Sequence, residues 1–193
     1  MARKSRIIIV GSGIVGASTA YHLAQLGWKD MVILDQGPLF ETGGSTSHAP
    51  GGVFQTNPSR MMCKFAQYTV DLLRSLSFEG KPCFHTVGGI EVSKTKERHQ
   101  DLYRKLGIAH SYGLTDAKII TPDEVLKMSP YIDPEKIHGG YYVPTDGLAA
   151  PVRAVRAMAK YVTDLKAGEF FGDTALNGYK IQNNLIRCLQ TSK

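Results

Sequence analysis

Cysteine is scarce in this sequence: Cys63, Cys83 and Cys188 stand far apart among 193 residues, with no CxxC pair. An odd, scattered set argues against a disulfide framework and a cysteine-ligated metal centre, and fits a reducing compartment. Long apolar runs are missing as well. Ile7 to Val10 is too short for the apolar core of a signal peptide, glycine follows at once, and no stretch approaches a membrane span. Runs of like charge are also lacking. The net charge of +6 comes from dispersed Lys and Arg, thin grounds for nucleic-acid binding. No repeat or low-complexity tract occurs. The expectation is a cytoplasmic protein with no membrane or nucleic-acid partner, the mitochondrial matrix remaining open if a transit peptide precedes it.

What is present is an ordinary globular balance, 42% hydrophobic and 21% charged, enough for a sizeable core. Arg6 to Val10 is a β-branched run ending in glycine, which predicts a strand buried on both faces. Gly11-Ser-Gly13-Ile14-Val15-Gly16 then opens a helical stretch closed by Gly27, and Met31 to Leu34 forms a second strand ending at Asp35. This is a βαβ unit with the G-x-G-x-x-G spacing in the strand–turn–helix context that gives it meaning. The first glycine permits a tight turn, the second lets backbone approach a pyrophosphate, and the third lets helix and strand pack closely. The helix N-terminus offers unpaired N–H groups and positive potential to phosphates. Asp35, nineteen residues past Gly16, is placed to accept hydrogen bonds from ribose hydroxyls. An acid there disfavours a 2′-phosphate. FAD and NAD both remain open at this point.

Residues 36 to 58 are rich in glycine, proline, Ser and Thr and read as a long functional loop. Ser59 caps a predicted helix with Met62, Phe65, Ala66, Val70 and Leu73 at helical spacing, a Met/aromatic stripe best read as core packing. From about Lys81 the texture changes. Strands are predicted at Phe84 to Val87, Ile90 to Ser93 and Ile137 to Val143, and a helix at Glu97 to Leu106. Thr121-Pro-Asp-Glu124 is a capping-box helix start. Ala150 to Leu165 reads as an amphipathic helix, and Leu176 to Gln182 and Leu185 to Gln190 as a hairpin turning at Asn183-Asn184.

Ile33-Leu34-Asp35-Gln36-Gly37-Pro38 and Gly44-Ser45-Thr46-Ser47-His48-Ala49-Pro50-Gly51 carry a specific resemblance. Val53-Phe-Gln-Thr-Asn-Pro-Ser59, Lys64-Phe-Ala-Gln-Tyr-Thr-Val70, Gly88-Gly-Ile-Glu-Val92 and Val143-Pro-Thr-Asp-Gly-Leu-Ala149 extend it along nearly the whole chain. The sequence resembles the FAD-dependent amine oxidoreductases of the glycine/D-amino-acid oxidase superfamily, especially dimethylglycine oxidase and the dimethylglycine and sarcosine dehydrogenases. The resemblance implies an α/β fold: a Rossmann-like FAD-binding domain with an inserted α+β substrate-type subdomain. It implies boundaries at 1–80 for the first part of the FAD domain, 81–146 for the start of the insertion and 147–193 for the return.

It further implies FAD covalently joined to His48, an imidazole being a competent nucleophile in its neutral form. Gly11, Gly13, Ile14, Val15, Gly16, Asp35, Gln36, Ser45, Thr46, Ser47, His48 and Gly52 become the expected cofactor contacts. The implied chemistry is oxidation of a small N-methyl amine such as dimethylglycine or sarcosine, with a hydride passing to the flavin and the iminium product hydrolysed or captured by folate. Family members continue for hundreds of residues, so this chain is expected to be an N-terminal portion. The groups gripping the substrate carboxylate and the folate-binding region would lie beyond Lys193, and no catalytic residue can be assigned within it. A catalytically inactive FAD-binding remnant and, less favoured, an NAD-dependent Rossmann enzyme are the alternatives.

Overall fold

The computed structural model describes residues 5–40 and 43–193. Residues 1–4 of the basic start and residues 41–42 of the long loop lie outside the described set. In chain order the elements are β1 (Ile7–Val10), α1 (Ile14–Gln25), β2 (Met31–Leu34), α2 (Ser45–His48), β3 (Gly52–Val53) and α3 (Arg60–Ser75). There follow β4 (Ser77–Phe78), β5 (Lys81–Pro82), β6 (Phe84–Thr86), β7 (Gly89–Ser93), α4 (Lys96–Ser111), β8 (Lys118–Ile120) and α5 (Pro122–Met128). A 3₁₀ turn at Pro134–Lys136 precedes β9 (Gly139–Val143), β10 (Gly147–Ala149), α6 (Pro151–Asp164), β11 (Gly168–Phe171), β12 (Leu176–Gln182) and β13 (Leu185–Thr191). The chain divides into two compact units: one comprises Met1–Pro50, Leu76–Cys83 and Ala150–Lys193, the other Gly51–Ser75 and Phe84–Ala149.

The first unit is a parallel sheet in the order β1-β2-β11, with Ile7 opposite Met31 and Met31 opposite Gly168. β2 is central and buried at all four positions. β1 is an edge strand. Ile9 faces α1, but Ile8 and Val10 on the opposite face are 41% and 57% exposed, so the expectation of burial on both faces fails there. β11 had no signal of its own, since four residues beginning with glycine carry too little pattern to read. Gly168 nevertheless fits tightly, because a Cβ on it would lie 2.9 Å from that of Met31.

α1 and α6 pack together in this unit, α1 burying Ala17, Ala20 and Ala24 and α6 burying Ala154, Ala157 and Ala159, with Tyr21 and Tyr161 rings 4.7 Å apart. Alanine at these positions lets the helices approach while keeping high helix propensity. The terminal hairpin β12–β13 forms as its residues predict: Asn183 and Asn184 adopt φ of 54° and 58°, the left-handed pair a two-residue turn demands.

In the second unit two three-stranded sheets occur, β3-β10-β6 and β7-β9-β8. The strands either side of Gly88-Gly89 exist as expected but belong to different sheets, the chain redirecting at Gly88 with φ of 77°. Cys63, Leu102, Ala109, Leu114, Ala117, Tyr141 and Val143 form one core cluster, and Ile120, Val125 and Ile137 form a second. Truncating a fully buried residue such as Leu102 to alanine typically costs about 2–5 kcal/mol. α5 starts with the predicted capping box: the Thr121 hydroxyl accepts from Glu124 N–H at 3.3 Å, and the Glu124 carboxylate accepts from Thr121 N–H at 2.8 Å.

α3 corrects the core-stripe expectation. It buries Cys63, Val70 and Leu73, while Met62 and Phe65 are 52% and 57% exposed. The helical period was right, and Val70 and Leu73 of the stripe are buried, but its Met62–Phe65 part is not. Among the described residues no helix is long and apolar enough to cross a membrane.

Candidate functional site

The glycine motif occupies the turn from β1 to α1 in the first unit. Gly11 has φ of 101°, a conformation that favours glycine, and its N–H donates to Leu34 O at 2.7 Å, tying the ends of the two strands. A Cβ on Gly16 would lie 1.9 Å from Gly11 O, so this position excludes any side chain. Gly13 is the N-cap of α1 and has no side chain with which to cap it. The cap comes instead from distant sequence, as Thr46 Oγ1 accepts from Ile14 N–H at 2.9 Å. The N–H groups of Val15 and Gly16 also belong to the first turn, where no intrahelical acceptor exists. Gly13 and Val15 are exposed.

Asp35 closes one side of this turn. Its Oδ2 accepts from both Ser12 N–H and Ser12 Oγ at 2.7 Å, and its Oδ1 accepts from Gly37 N–H at 3.1 Å. Burial pushes the carboxyl pKa up, but the hydrogen bonds from Ser12, Gly37 and Gln36 outweigh it and hold the group below the usual carboxylate range. The group is therefore ionised at neutral pH, with lone pairs left for further donors. Ser12 was missed by the sequence reading. It occupies a variable position of the motif, where its polar side chain was the only available signal.

The long loop is not wholly irregular, since Ser45–His48 forms one helical turn, α2. Ser47 Oγ donates to Gly44 O at 2.9 Å and accepts from Gly43 N–H at 3.2 Å. His48 is exposed, and its Nδ1 lies 2.9 Å from Gly44 O. With the proton on Nδ1 donated to that carbonyl, the Nε2 lone pair is left available. Gln36 and Ser45 are exposed beside these groups in sequence, whereas Gly52 belongs to the second unit, paired through β3 with Leu148. α2 packs against α6, whose Arg156 donates to Phe40 O at 3.4 Å while its buried Nε has no partner among the described residues. The unpaired first-turn N–H groups of α1, an ionised acid after β2 and the Arg156 guanidinium fit an anionic dinucleotide such as FAD.

The second unit holds a pocket of about 340 Å³ lined by Phe54, Thr56, Glu91, Lys105, Tyr141 and Asp146. Tyr141 and Thr56 share a 2.6 Å hydroxyl–hydroxyl hydrogen bond. Glu91 is paired with both Arg98 and Lys105. Burial pushes the Tyr141 phenol up, and it likewise raises the Asp146 carboxyl despite hydrogen bonds from Gln55. Among the described residues no group of three or more His, Cys, Asp or Glu could hold a metal ion.

Comparison with known proteins agrees with this cradle. The family model described as FAD dependent oxidoreductase (DAO) matches residues 6–193, so the chain belongs to that family. Human mitochondrial dimethylglycine dehydrogenase is 33% identical over 179 residues, 85% of this chain and 20% of that protein. The mitochondrial pyruvate dehydrogenase phosphatase regulatory subunit of Mus musculus is 30% identical over 192 residues, covering 98% of this chain and 21% of that one. The chain thus spans about one fifth of the length of these relatives. Among solved structures, L-proline dehydrogenase from P. horikoshii superposes with a TM-score of 0.87 at 25% identity, covering all of this chain and 50% of the other. The fold is the Rossmann-like α/β fold of FAD-binding oxidases.

Proposed function

We propose that this chain is the N-terminal flavin-cradling portion of an FAD-dependent oxidase or dehydrogenase of N-methylated amino acids, with FAD covalently held by His48. Gly11, Gly13, Ile14, Val15 and Gly16 would take the pyrophosphate, and Asp35 with Gln36 the adenosine ribose. Ser45, Thr46 and Ser47 would line the path toward the ring, and the second unit, to which the expected contact Gly52 belongs, would begin the substrate-type subdomain. FAD, when bound, supplies a two-electron acceptor for the C–H bond beside the amine nitrogen. The protein's part is orientation and charge.

The observation that carries this reading is the His48 geometry. Its Nδ1 lies 2.9 Å from Gly44 O, and a proton held between them leaves the Nε2 lone pair for attack. An imidazole so oriented is a ready nucleophile. The similarity to dimethylglycine dehydrogenase supports the substrate class. Three free cysteines agree with a reducing compartment, cytoplasm or mitochondrial matrix.

Acid precipitation of the protein purified from flavin-replete cells tests the attachment. The expected result is visible flavin absorbance that stays with the pellet and is lost in His48→Ala. A colourless pellet from the native chain would sink the covalent reading. The similarity to a regulatory subunit favours a second reading, a flavin-binding module without turnover. Anaerobic addition of dimethylglycine or sarcosine to the whole protein that carries this portion separates the two, because only the first predicts bleaching of the bound flavin.

A further inference from the structure

We infer that the outward face of α3 is a dimerisation seam, on which α3 of a second copy of this chain packs antiparallel. The inference does not depend on the flavin reading. α3 carries two apolar faces. One buries Cys63, Val70 and Leu73 within the second unit. The other carries Met61, Phe65, Tyr68 and Leu72, at intervals of four, three and four residues. At about 100° per residue these four positions fall within about 60° of one another, on the side opposite Val70. Met61, Phe65 and Tyr68 are 58%, 57% and 53% exposed, and Leu72 is half-buried. Aligned apolar side chains facing solvent over consecutive turns mark an interaction face.

The spacing selects a helix as the occupant. Alternating three- and four-residue intervals make a coiled-coil seam, in which side chains of one helix seat between those of another at a crossing angle near about +20°. The residues of the seam select a second copy. Reversed about the midpoint between Ala66 and Gln67, the stripe meets itself: Met61 of each copy lies against Leu72 of the other, and Phe65 against Tyr68. Charge agrees with this register. Lys64 and Asp71 are exposed on the same flank of the stripe, and neither makes a salt bridge among the described residues. Antiparallel pairing brings like flanks together, so Lys64 of each copy faces Asp71 of the other, and the two-fold axis repeats the pair. Parallel pairing would set Lys64 against Thr69 and leave both charges without a counterpart. The seam is short, so a dissociation constant on the order of micromolar is expected.

The test is sedimentation velocity of the purified chain across a concentration series. A monomer–dimer equilibrium is expected, and Phe65→Ala, at the centre of the seam, should weaken it at least about tenfold. Lys64→Asp and Asp71→Lys change exposed positions, so both variants keep the fold by circular dichroism. Each turns two attractions into two repulsions and should weaken self-association about tenfold. Mixed in equal amounts, the two variants restore both attractions and should associate with each other as tightly as the parent chain does with itself, to within about threefold.

A chain that stays monomeric throughout, association indifferent to Phe65→Ala, or no recovery in the mixture would each overturn the assignment. The same series on the whole protein that carries this portion identifies the other occupant. A monomeric whole protein with Phe65 protected would mean that its own later residues cover the stripe, and would overturn it too.

Discussion

Two aspartates, one in each unit, meet opposite fates in this molecule. Asp35 sits at the end of a parallel strand, where the turn aims Ser12 N–H, Ser12 Oγ and Gly37 N–H at its two oxygens. Asp146 sits just before β10, one oxygen accepting twice from Gln55 and the other accepting no bond among the described residues. Burial pushes both carboxyls upward. Hydrogen bonding reverses the result for Asp35 and falls short for Asp146. Asp146 is the more deeply buried of the two and receives fewer donors, and both differences push its carboxyl pKa the same way. The contrast also separates roles: Asp35 is a preorganised, ionised acceptor, whereas Asp146 is a buried carboxyl held by Gln55 with Lys105 as its nearby cation.

The largest effect is expected where the cradle is most crowded. Gly16→Ala places a methyl group against Gly11 O and should destabilise the chain by about 3 kcal/mol in chemical denaturation. A loss below about 1 kcal/mol would mean that β1 and α1 are not held in this contact.

Asp35→Ala strands the buried Ser12 N–H and should cost about 1–3 kcal/mol at neutral pH. Because the folded pKa is lowered, this stabilisation is present above the unfolded carboxylate pKa and disappears as pH falls through the folded value. Urea midpoints should therefore converge for the two proteins on acidification. Parallel curves would show that Asp35 is not the group responsible.

The smallest change is expected at Asp146. Asn keeps the acceptor for Gln55 and removes a buried charge, so Asp146→Asn should lie within about 1 kcal/mol of the parent at neutral pH. Here the folded pKa is raised, and the sign inverts. The carboxyl contributes most below its unfolded pKa, and that contribution is lost as pH rises through the folded value. The native chain should gain on Asp146→Asn as the solution is acidified, and the opposite slope would break the comparison.

Much of the fold was legible where the causes are local. The strand–turn–helix at Gly11 to Gly16, the Thr121–Glu124 capping box and the Asn183-Asn184 turn each rest on contacts within a few residues. α2 escaped notice because four polar residues give no period, and β11 because it is short and starts with glycine. The stripe on α3 misled for a related reason: periodicity reveals that a helix has apolar positions, but two faces of this helix carry them. Asp146 lay inside a recognised block, Val143 to Ala149, yet nothing in that block reveals an oxygen over Gly89 that accepts no bond among the described residues.

The glycine spacing and the acid after β2 were enough in the sequence to define a dinucleotide cradle, and the family resemblance carried by the Ser45 to His48 block made FAD the expected ligand. Steric demands at Gly11 and Gly16 are written into residue type, since one needs a left-handed φ and the other has no room for a Cβ. Only the tertiary structure decided that β1 is an edge and β2 the centre, and that Thr46 caps α1 across 32 positions. It alone showed that Gln55 bonds one oxygen of Asp146 from 91 positions away. Burial and charge depend on which distant groups arrive as neighbours, and no local pattern encodes that arrival.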